Sequence, residues 1–234
     1  MDCFASLVVV QYIYEIPQSN KTKLTKTFVI ALGFGFHREN DYKVVRVMGF
    51  RPKENMFEVE VYSLRLNAWR KISAVPPDVS VSKVECVFLN GVVYWSTMDP
   101  SQHPTFILSF DFGSEEFKRI MLPRAVPAVF EQTPIRVFEN SLSFFHRRHD
   151  EQLGWFYELW ILEMYTWKKT HTILLPTRVY VSCSLGFTAN GRFLTVVPST
   201  FPEESNLVLY DPQSQQPSNT EIKMMKPCGY VDAY

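Results

Sequence analysis

The sequence predicts an all-β protein, and three observations support that prediction. Of the 234 residues, 46% are apolar and 15% are aromatic, a composition that favours strands over helices. Alternating runs of about six residues, separated by turns every 8–12 residues or so, roughly fill the chain. Four asparagines stand 50 residues apart, each at a turn beside a strand-like run: Asn40, Asn90, Asn140 and Asn190. Self-similarity at such a period is typical of stacked or radial β-repeats.

The chain begins with a stretch that differs from the rest. Residues 4–16 are an apolar run that ends at Pro17, and a polar, lysine-containing stretch follows it. We therefore expect residues 1–26 to form one strand and an exposed loop, the remnant of a preceding blade. The apolar run is not preceded by basic residues and is too short to span a membrane, so we expect neither a signal peptide nor an anchor.

From residue 27 the pattern becomes regular, and the first unit has four predicted strands. A glycine-bearing apolar run forms the first strand, and the segment DYKVVRVM contains the second. The alternating FEVEVY forms the third, and a short segment with Trp69 and Ile72 forms the fourth. The predicted turns are residues 37–41, 51–55 and 64–67.

The second unit repeats this organisation in two hairpins. Asn90-Gly91 separates the first two strands, and Asn-Gly is the strongest short hairpin signal; residues 113–115 separate the next two. Four antiparallel strands in two hairpins correspond to one propeller blade. Two further units follow, within residues 135–176 and 181–222, and two prolines weaken the last predicted strand. The predicted fold is therefore an incomplete β-propeller-like array of about four antiparallel blade units.

The second hairpins of the first three units share an aromatic residue before a basic pair. The aromatic residues are Trp69, Phe117 and Trp167. We expect each ring to fill the space between neighbouring blades, and we expect the basic residues to face solvent. This structural interpretation is favoured over a role in binding a ligand.

Composition limits the classes of partner. The 24 basic and 24 acidic residues balance, so no long-range field draws the protein to nucleic acid or to an anionic membrane. The four cysteines are isolated and form neither a C-x-x-C pair nor a zinc-ligand cluster, which favours free thiols in a reducing compartment. We therefore expect a cytoplasmic and/or nuclear protein without a metal or cofactor, whose protein partners recognise its shape.

One glycine-rich segment, Gly33-Phe34-Gly35-Phe36, raises the question of a phosphate-binding loop. It lacks the third glycine, the following helix and the lysine that such loops use. Glycines inside a strand more often allow another chain segment to approach the backbone closely. The sequence therefore predicts a packing role for this motif.

The densest polar cluster is residues 146–151, HRRHDE, between two apolar runs. Its plainest interpretation is a solvated loop of a blade. The functional alternative is a protein-contact patch, because arginine and aromatic residues are enriched in interface hot spots. The candidate partner-binding residues are His146, Arg147, Arg148, His149, Trp155 and Phe156. No serine is framed as a nucleophile and no carboxylate pair stands out, so no catalytic residue is predicted.

Several of these segments together resemble a known family. The string FVIALGFGFHRENDYKVVRV, followed by VEVYSLRLNAWRKI, is similar to the hallmark GFG(F/Y) and DYKVV segments of the plant F-box associated domain. VFLNGVVYW, ILSFDFGSEEFKRIMLP and ELWILEMYTWKKTHTI resemble the next landmarks of that family, in the same order. The resemblance covers residues 27–234 and is specific, because several landmarks recur rather than one short pattern.

The resemblance implies a β-propeller-like domain of F-box/kelch-like proteins, a group that includes the S-locus F-box proteins of pollen. Such proteins are substrate receptors of SCF-type ubiquitin ligases, in which the F-box binds a Skp-family adaptor and the associated domain recognises the target protein. The first 40 residues here have no F-box pattern, and the family usually continues beyond GYVDAY into one more strand. We therefore expect target recognition without the F-box, in a chain shortened at both ends.

The sequence as a whole predicts a protein-binding module with no catalysis of its own. The alternative is a propeller with a small-molecule or enzymatic site in its central channel. A deep polar pocket with a perturbed titratable group would favour the alternative. A broad, shallow face with aromatic and arginine anchors would favour the binding module.

Overall fold

Sixteen strands and the turns between them make up the described part of the chain. The computed structural model describes residues 27–37, 41–50, 57–77, 86–97, 106–126, 135–152, 154–174, 183–188, 190–198, 204–211 and 213–225. The prediction for residues 1–26 lies outside these ranges. Among the described residues, no helix is long and apolar enough to cross a membrane.

The strands form four sheets of four strands each, and every neighbouring pair is antiparallel. In chain order the strands are β1 (Thr27–His37), β2 (Asp41–Phe50), β3 (Phe57–Ser63), β4 (Ala68–Ile72), β5 (Cys86–Leu89), β6 (Val92–Ser96), β7 (Phe106–Asp111), β8 (Glu116–Met121), β9 (Ile135–Phe138), β10 (Ser141–Asp150), β11 (Gly154–Glu163), β12 (Thr166–Leu174), β13 (Cys183–Phe187), β14 (Phe193–Pro198), β15 (Glu204–Asp211) and β16 (Gln216–Met225). Within each sheet, consecutive strands are neighbours. This arrangement confirms the predicted all-β, propeller-like array of four-stranded units.

The chain divides into two compact units, residues 1–132 and 133–234. The first unit contains the β1–β4 and β5–β8 sheets, and the second contains the β9–β12 and β13–β16 sheets. Each unit therefore pairs two blade-like sheets, and in each the first strands of the two sheets lie close together. The sheets present alternate residues to the core between them, as period-2 patterning requires.

Three of the recurrent asparagines, Asn90, Asn140 and Asn190, lie in equivalent turns between the first and second strands of their sheets. Asn90 and Gly91 both have positive φ, 50° and 84°, as the two-residue turn of a hairpin requires. Asn140, with φ of 59°, occupies the β9–β10 turn, and Gly191, with φ of 76°, lies in the β13–β14 turn. Asn40 lies outside the described residues. The 50-residue spacing thus reflects a structural repeat.

A second repeated turn joins the third and fourth strands of two sheets. Asp111 Oδ1 accepts a hydrogen bond from the Gly113 amide at 2.7 Å, and Asp211 Oδ1 accepts one from the Gln213 amide at 2.9 Å. An aspartate side chain that binds the backbone two residues later is a common way of forming a turn. The bond from the Gln213 amide is the main cause that lowers the pKa of Asp211.

The glycines of the GFGF motif allow the β5–β8 sheet to pack directly on β1. A Cβ atom on Gly33 would lie 2.5 Å from Trp95 Cζ2 and 2.8 Å from a methyl of Val93. A Cβ on Gly35 would overlap the Phe88 ring in the same way. Both glycines are buried, so the predicted packing role is confirmed.

Replacing Gly33 with alanine is expected to lower the free energy of unfolding of the first unit by about 1–3 kcal/mol, because the added methyl overpacks the core. Chemical denaturation followed by circular dichroism measures the change. Val93→Ala removes two of the methyls that the new Cβ would meet, so the cost of Gly33→Ala should fall in that background. An unchanged cost in the double variant would contradict the packing explanation.

The core of the second unit lies between the β9–β12 and β13–β16 sheets. Its buried members are Phe138, Phe145, Tyr157, Leu159, Ile161, Ile173, Phe193 and Tyr210. Phe187 of β13 bridges the two sheets, because its ring centroid lies 4.3 Å from that of Phe138 and 5.4 Å from that of Phe145. Burial of these rings supplies the main stabilisation of the unit.

The last strand, which the sequence predicts to be weak, is a ten-residue strand in the structure. Residues 216–225 form β16, which pairs with β15 from Asp211↔Gln216 to Glu204↔Met225 with one irregularity. Pro217 is tolerated because β16 is at the end of its sheet, where one side of the strand has no ladder to maintain. Proline content alone therefore underestimated this strand.

Candidate functional site

The polar segment predicted as a loop is part of a long hairpin. Residues 146–150 continue β10 and pair with residues 154–158 of β11, and the chain turns at residues 151–152. The loop interpretation is therefore wrong. The partner strand explains the difference, because β11 is rich in aromatic and apolar residues and pairs with β10 as far as the turn.

Pairing places the six candidate residues on the two strands of one hairpin. His146 stands opposite Glu158, and Arg148 stands opposite Phe156, so these four residues share one face. In the backbone register, Arg147 pairs with Tyr157 and His149 pairs with Trp155. His146 and Phe156 are buried, whereas Arg148 and His149 are exposed. These four candidates therefore do not form one exposed surface.

Glu158 is the centre of the charged face of this hairpin. Its side chain is only 5% exposed, and its Oε1 lies 3.1 Å from Lys169 Nζ and 3.6 Å from Arg148 Nη1. Both cations remain about half exposed. This carboxylate fixes the positions of two positive groups at the surface.

Burial lowers the pKa of His146, and the charge of Arg148 lowers it further, while Glu158 opposes both. The buried imidazole is therefore neutral at neutral pH. Protonation of the unfolded chain begins near the ordinary pKa of about 6.5. Stability contributed by the neutral ring is thus complete above that pH and is lost as the pH falls towards the lower folded-state pKa.

We expect the free energy of unfolding to fall as the pH drops below about 6.5, with a slope from this group of at most about 1.4 kcal/mol per pH unit. Denaturant titrations at closely spaced pH values measure the slope. His146→Gln should flatten it, whereas substitution of the exposed His149 should not. Equal slopes for the native chain and for His146→Gln would contradict the assignment.

One diagonal contact recurs in three of the four sheets. In each of these sheets, the basic residue two positions after the recurrent aromatic residue contacts a side chain diagonally across the neighbouring strand. Lys71 Nζ lies 3.1 Å from Glu58 Oε2, and Lys169 Nζ lies 3.1 Å from Glu158 Oε1. The Arg119 guanidinium lies 4.8 Å from the Phe106 ring centre. The β5–β8 sheet thus replaces an ion pair with a cation–π contact. The structural repeat therefore includes side-chain contacts as well as turns.

The basic pairs are exposed, which confirms that part of the prediction for the aromatic–basic motif. The aromatic residues pack on their own sheets: Trp69 lies 5.3 Å from Tyr62, Phe117 lies 4.8 Å from Phe110, and Trp167 lies 4.7 Å from Phe144, measured between ring centroids. Phe117 also packs against the core that the β1–β4 and β5–β8 sheets share. For Phe117, the predicted position between neighbouring sheets is thus supported.

Sequence reasoning missed an exposed apolar strip at the end of the β1–β4 sheet. Phe36, Tyr42 and Leu64, called here the Phe36 patch, are 52%, 49% and 56% exposed. Phe36 pairs with Tyr42, and the Leu64 amide donates a hydrogen bond to the Tyr42 carbonyl at 2.9 Å, so the three residues cross three adjacent chain segments. Strand alternation in the sequence could have indicated this strip. Because Gly33 and Gly35 are buried on one face of β1, Phe34 and Phe36 lie on the opposite face.

A second exposed apolar feature is the β11–β12 turn. Met164 and Tyr165 are 95% and 100% exposed, and both have positive φ, 45° and 70°. Side chains other than glycine or asparagine rarely occupy this region, and each costs about 1–2 kcal/mol of backbone strain. The turn therefore displays two large apolar side chains on a strained backbone.

Titratable groups do not converge on a metal site in the part of the chain described here: no group of three or more His, Cys, Asp or Glu side chains is placed to hold an ion. The Cys86 side chain on β5 is partly buried. The charged groups described above instead form ion pairs along the strands.

Four-stranded antiparallel sheets in a repeated array define a protein of the β-propeller class, and comparison with known families identifies which one. The model of the F-box associated β-propeller domain matches residues 11–226. The chain therefore belongs to the F-box associated β-propeller domain family. The match begins at residue 11, whereas the resemblance found in the sequence begins at residue 27.

The relatives are plant F-box proteins. An F-box/kelch-repeat protein of Arabidopsis thaliana is 29% identical over 194 residues, which cover 77% of this chain and 43% of the relative. An F-box protein of the same plant is 23% identical over 197 residues, which cover 80% of this chain and 50% of the relative. The chain thus spans about half the length of the curated relatives it matches.

Solved structures share the fold at low sequence identity. A prolyl endopeptidase structure superposes with a TM-score of 0.50 and 13% identity, over 86% of this chain and 27% of that one. At this identity the similarity concerns the arrangement of strands alone, and no activity is transferred from it.

Proposed function

We propose that this chain is the target-recognition module of an SCF-type ubiquitin ligase receptor, which binds a protein and carries out no catalysis of its own. Membership of the F-box associated β-propeller family over residues 11–226 is the observation that supports this proposal most strongly. The relatives are F-box and F-box/kelch-repeat proteins, and the resemblance to the F-box associated domain implies target recognition.

The surface of the chain supports a binding role. Rigid sheets present hairpin tips and turns, and such positions on a fixed scaffold are the usual location of recognition residues. Arg148 at the β10–β11 hairpin and the Phe36 patch provide the arginine and aromatic side chains that dominate protein interfaces. Contact with a Skp-family adaptor belongs to the F-box of full-length relatives, and the proposed place of action is the cytoplasm or nucleus.

An interaction screen in plant cells tests the hairpin as part of the recognition surface. The tagged chain, Arg148→Glu and Lys168→Glu are compared after cross-linking and mass spectrometry. Lys168 is the matched control, because it is exposed on the same sheet and paired at 3.7 Å with Glu163. We expect at least one protein to be captured by the native chain and Lys168→Glu but lost from Arg148→Glu.

A second step tests the ligase role. The chain is joined to the F-box segment of a relative, and the captured protein is incubated with the complete set of ubiquitination components. Ubiquitin transfer should require both the F-box segment and the chain. If the captured protein is not ubiquitinated when both are present, the proposed ligase function is wrong, whatever the chain binds. The alternative function, a small-molecule or enzymatic site in a central channel, stays a prediction from the sequence.

A further inference from the structure

Two copies of the same dipeptide, Asn90-Gly91 and Asn190-Gly191, form equivalent turns but are held differently by the residues around them. Each lies between the first and second strands of its sheet, and both asparagine side chains are exposed. Asparagine is a thermolabile residue, and it reacts fastest before glycine, because no side chain then shields the following backbone nitrogen. The two turns thus carry the same reactive sequence in two different settings.

The Asn90 turn leaves the groups that would react without hydrogen bonds. Asn90 and Gly91 lie between the paired residues Leu89 and Val92, and both have positive φ, 50° and 84°. Among the residues that the structure describes, neither the Asn90 side chain nor the Gly91 amide has a hydrogen-bond partner. A Cβ atom on Gly91 would meet nothing within 4 Å, so the space beside this residue is open.

The Asn190 turn, by contrast, is closed by Thr188. The Gly191 amide donates a hydrogen bond of 2.9 Å to the Thr188 carbonyl, and the Thr188 hydroxyl donates one to Asn190 Oδ1. The Arg192 amide donates another, of 3.1 Å, to Thr188 Oγ1. The backbone nitrogen and the side-chain amide that would react are therefore both held in this turn.

Packing between sheets explains why the Asn90 turn has no such clamp. The residue two positions before Asn90, which corresponds to Thr188, is Phe88. Its ring has no hydrogen-bonding group and packs on β1, where its centroid lies 5.1 Å from that of Phe36 and where a Cβ on Gly35 would overlap it. The position that closes one turn is thus used in the other turn for the core.

We propose that Asn90 is a site of spontaneous deamidation, which converts the β5–β6 turn to aspartate and isoaspartate while Asn190 is protected. The Gly91 nitrogen loses its proton to solvent and attacks Asn90 Cγ, so that a bond between these two atoms forms as the bond from Cγ to Nδ2 breaks. Nδ2 takes up a proton from water and leaves as ammonia. A water molecule then opens the cyclic imide at either of its carbonyl groups. The reaction consumes water and needs no oxidant or other reagent.

The isoaspartate product alters the first unit. It places an additional carbon atom in the main chain of a two-residue turn, whose length fixes the register of the β5–β6 pair. The Phe112 amide donates a hydrogen bond of 3.0 Å to the Gly91 carbonyl, and the buried residues Val93 and Trp95 follow the turn on β6. The reaction therefore weakens this unit as the protein ages, whatever the chain binds.

Peptide mapping by mass spectrometry tests this assignment on the intact chain, incubated at mildly alkaline pH. The gain in mass at each Asn-Gly dipeptide and the fraction of isoaspartate are followed with time, and a sample in denaturant is followed in parallel. In the folded chain, Asn90 should react at least about fivefold faster than Asn190, the factor that opening a single hydrogen bond provides. In denaturant the two rates should be similar, because both asparagines precede glycine.

Two substitutions separate the effect of the fold from that of the sequence. Thr188→Val removes the hydroxyl and keeps the shape of the side chain, so the rate at Asn190 should rise towards that at Asn90. Asn90→Asp adds the charge of the product without lengthening the main chain, and aspartate tolerates a positive φ. Its thermal unfolding midpoint should remain near the native value, whereas native chain enriched in isoaspartate by incubation should unfold at a lower temperature.

The inference is overturned if Asn90 reacts no faster than Asn190 in the folded chain, or if it stays intact while the denatured chain reacts completely. An unchanged rate at Asn190 in Thr188→Val would remove the protective part assigned to the Thr188 hydroxyl. If the isoaspartate-rich chain unfolds at the native temperature, the assigned effect on the first unit is wrong.

Discussion

Replacement of Trp95 by alanine is expected to lower the free energy of unfolding of the first unit by about 3–5 kcal/mol, the usual cost of truncating a buried aromatic residue. Trp95 is 0% exposed and is part of the core that joins the β1–β4 and β5–β8 sheets. Its ring lies over Gly33, where the absence of a side chain has made room for it. A cavity at this position would weaken the packing between the two sheets, not the packing within one sheet.

The indole N–H of Trp95 has a separate role. It donates a hydrogen bond of 2.8 Å to the Leu32 carbonyl on β1, which is the end strand of its sheet. Trp95→Phe retains most of the apolar contact but leaves this carbonyl without its donor, so we expect a smaller loss of about 1–3 kcal/mol. Denaturant titration followed by circular dichroism measures both variants. A loss below about 1 kcal/mol for Trp95→Ala would contradict the packing of the two sheets described here.

Glu60→Gln is expected to destabilise the chain by a similar amount, about 3–5 kcal/mol, because it breaks one side of a buried ion pair. Glu60 Oε2 accepts a hydrogen bond from Arg46 Nε at 2.9 Å and another from Arg46 Nη2. The side chains of Arg46 and Glu60 are 13% and 6% exposed. The Trp69 ring, 4.0 Å from the Arg46 guanidinium carbon, stabilises part of the remaining charge and places the loss towards the lower end of that range.

The chain offers a matched control for this substitution. Glu163 pairs with Lys168 at 3.7 Å, and the two side chains are 52% and 65% exposed. Glu163→Gln removes the same charge from a solvated pair and should cost no more than about 0.5 kcal/mol. Denaturant titration at one ionic strength measures the loss in free energy of unfolding for both substitutions. Equal losses would show that burial does not determine how much the Arg46–Glu60 pair contributes to stability.

These two glutamates illustrate the limit of sequence reasoning. Each forms an ion pair with a basic residue of a neighbouring strand, and the local sequence does not show which of the two pairs is buried. Burial depends on the segments packed against a strand, which are distant in the chain. The same limit explains why Asp41, in the DYKVV segment, could not be recognised in advance as the acceptor for Ser63 and Arg65.

The polar hairpin shows a second kind of limit. The string HRRHDE has no apolar alternation of its own, so periodicity indicates a loop. Its strand conformation comes from pairing with residues 154–158, where the register brings Glu158 opposite His146. Likewise, Pro217 weakens a strand in isolation but is compatible with the end strand of a completed sheet. Strand pairing is a long-range interaction, and local patterns do not contain it.

The amino-acid sequence by itself determined the all-β class, the Asn-Gly turns and the family, because alternation, Asn-Gly turns and the GFGF and DYKVV segments act over a few neighbouring residues. Only the tertiary structure decided which of the alternating side chains became core and which remained surface. The GFGF motif contains both outcomes: Gly33 and Gly35 face the next sheet, and Phe36 remains half exposed in the patch. Packing between sheets decides which side chains are buried. It covers one face of a strand and leaves the end of the opposite face exposed to solvent.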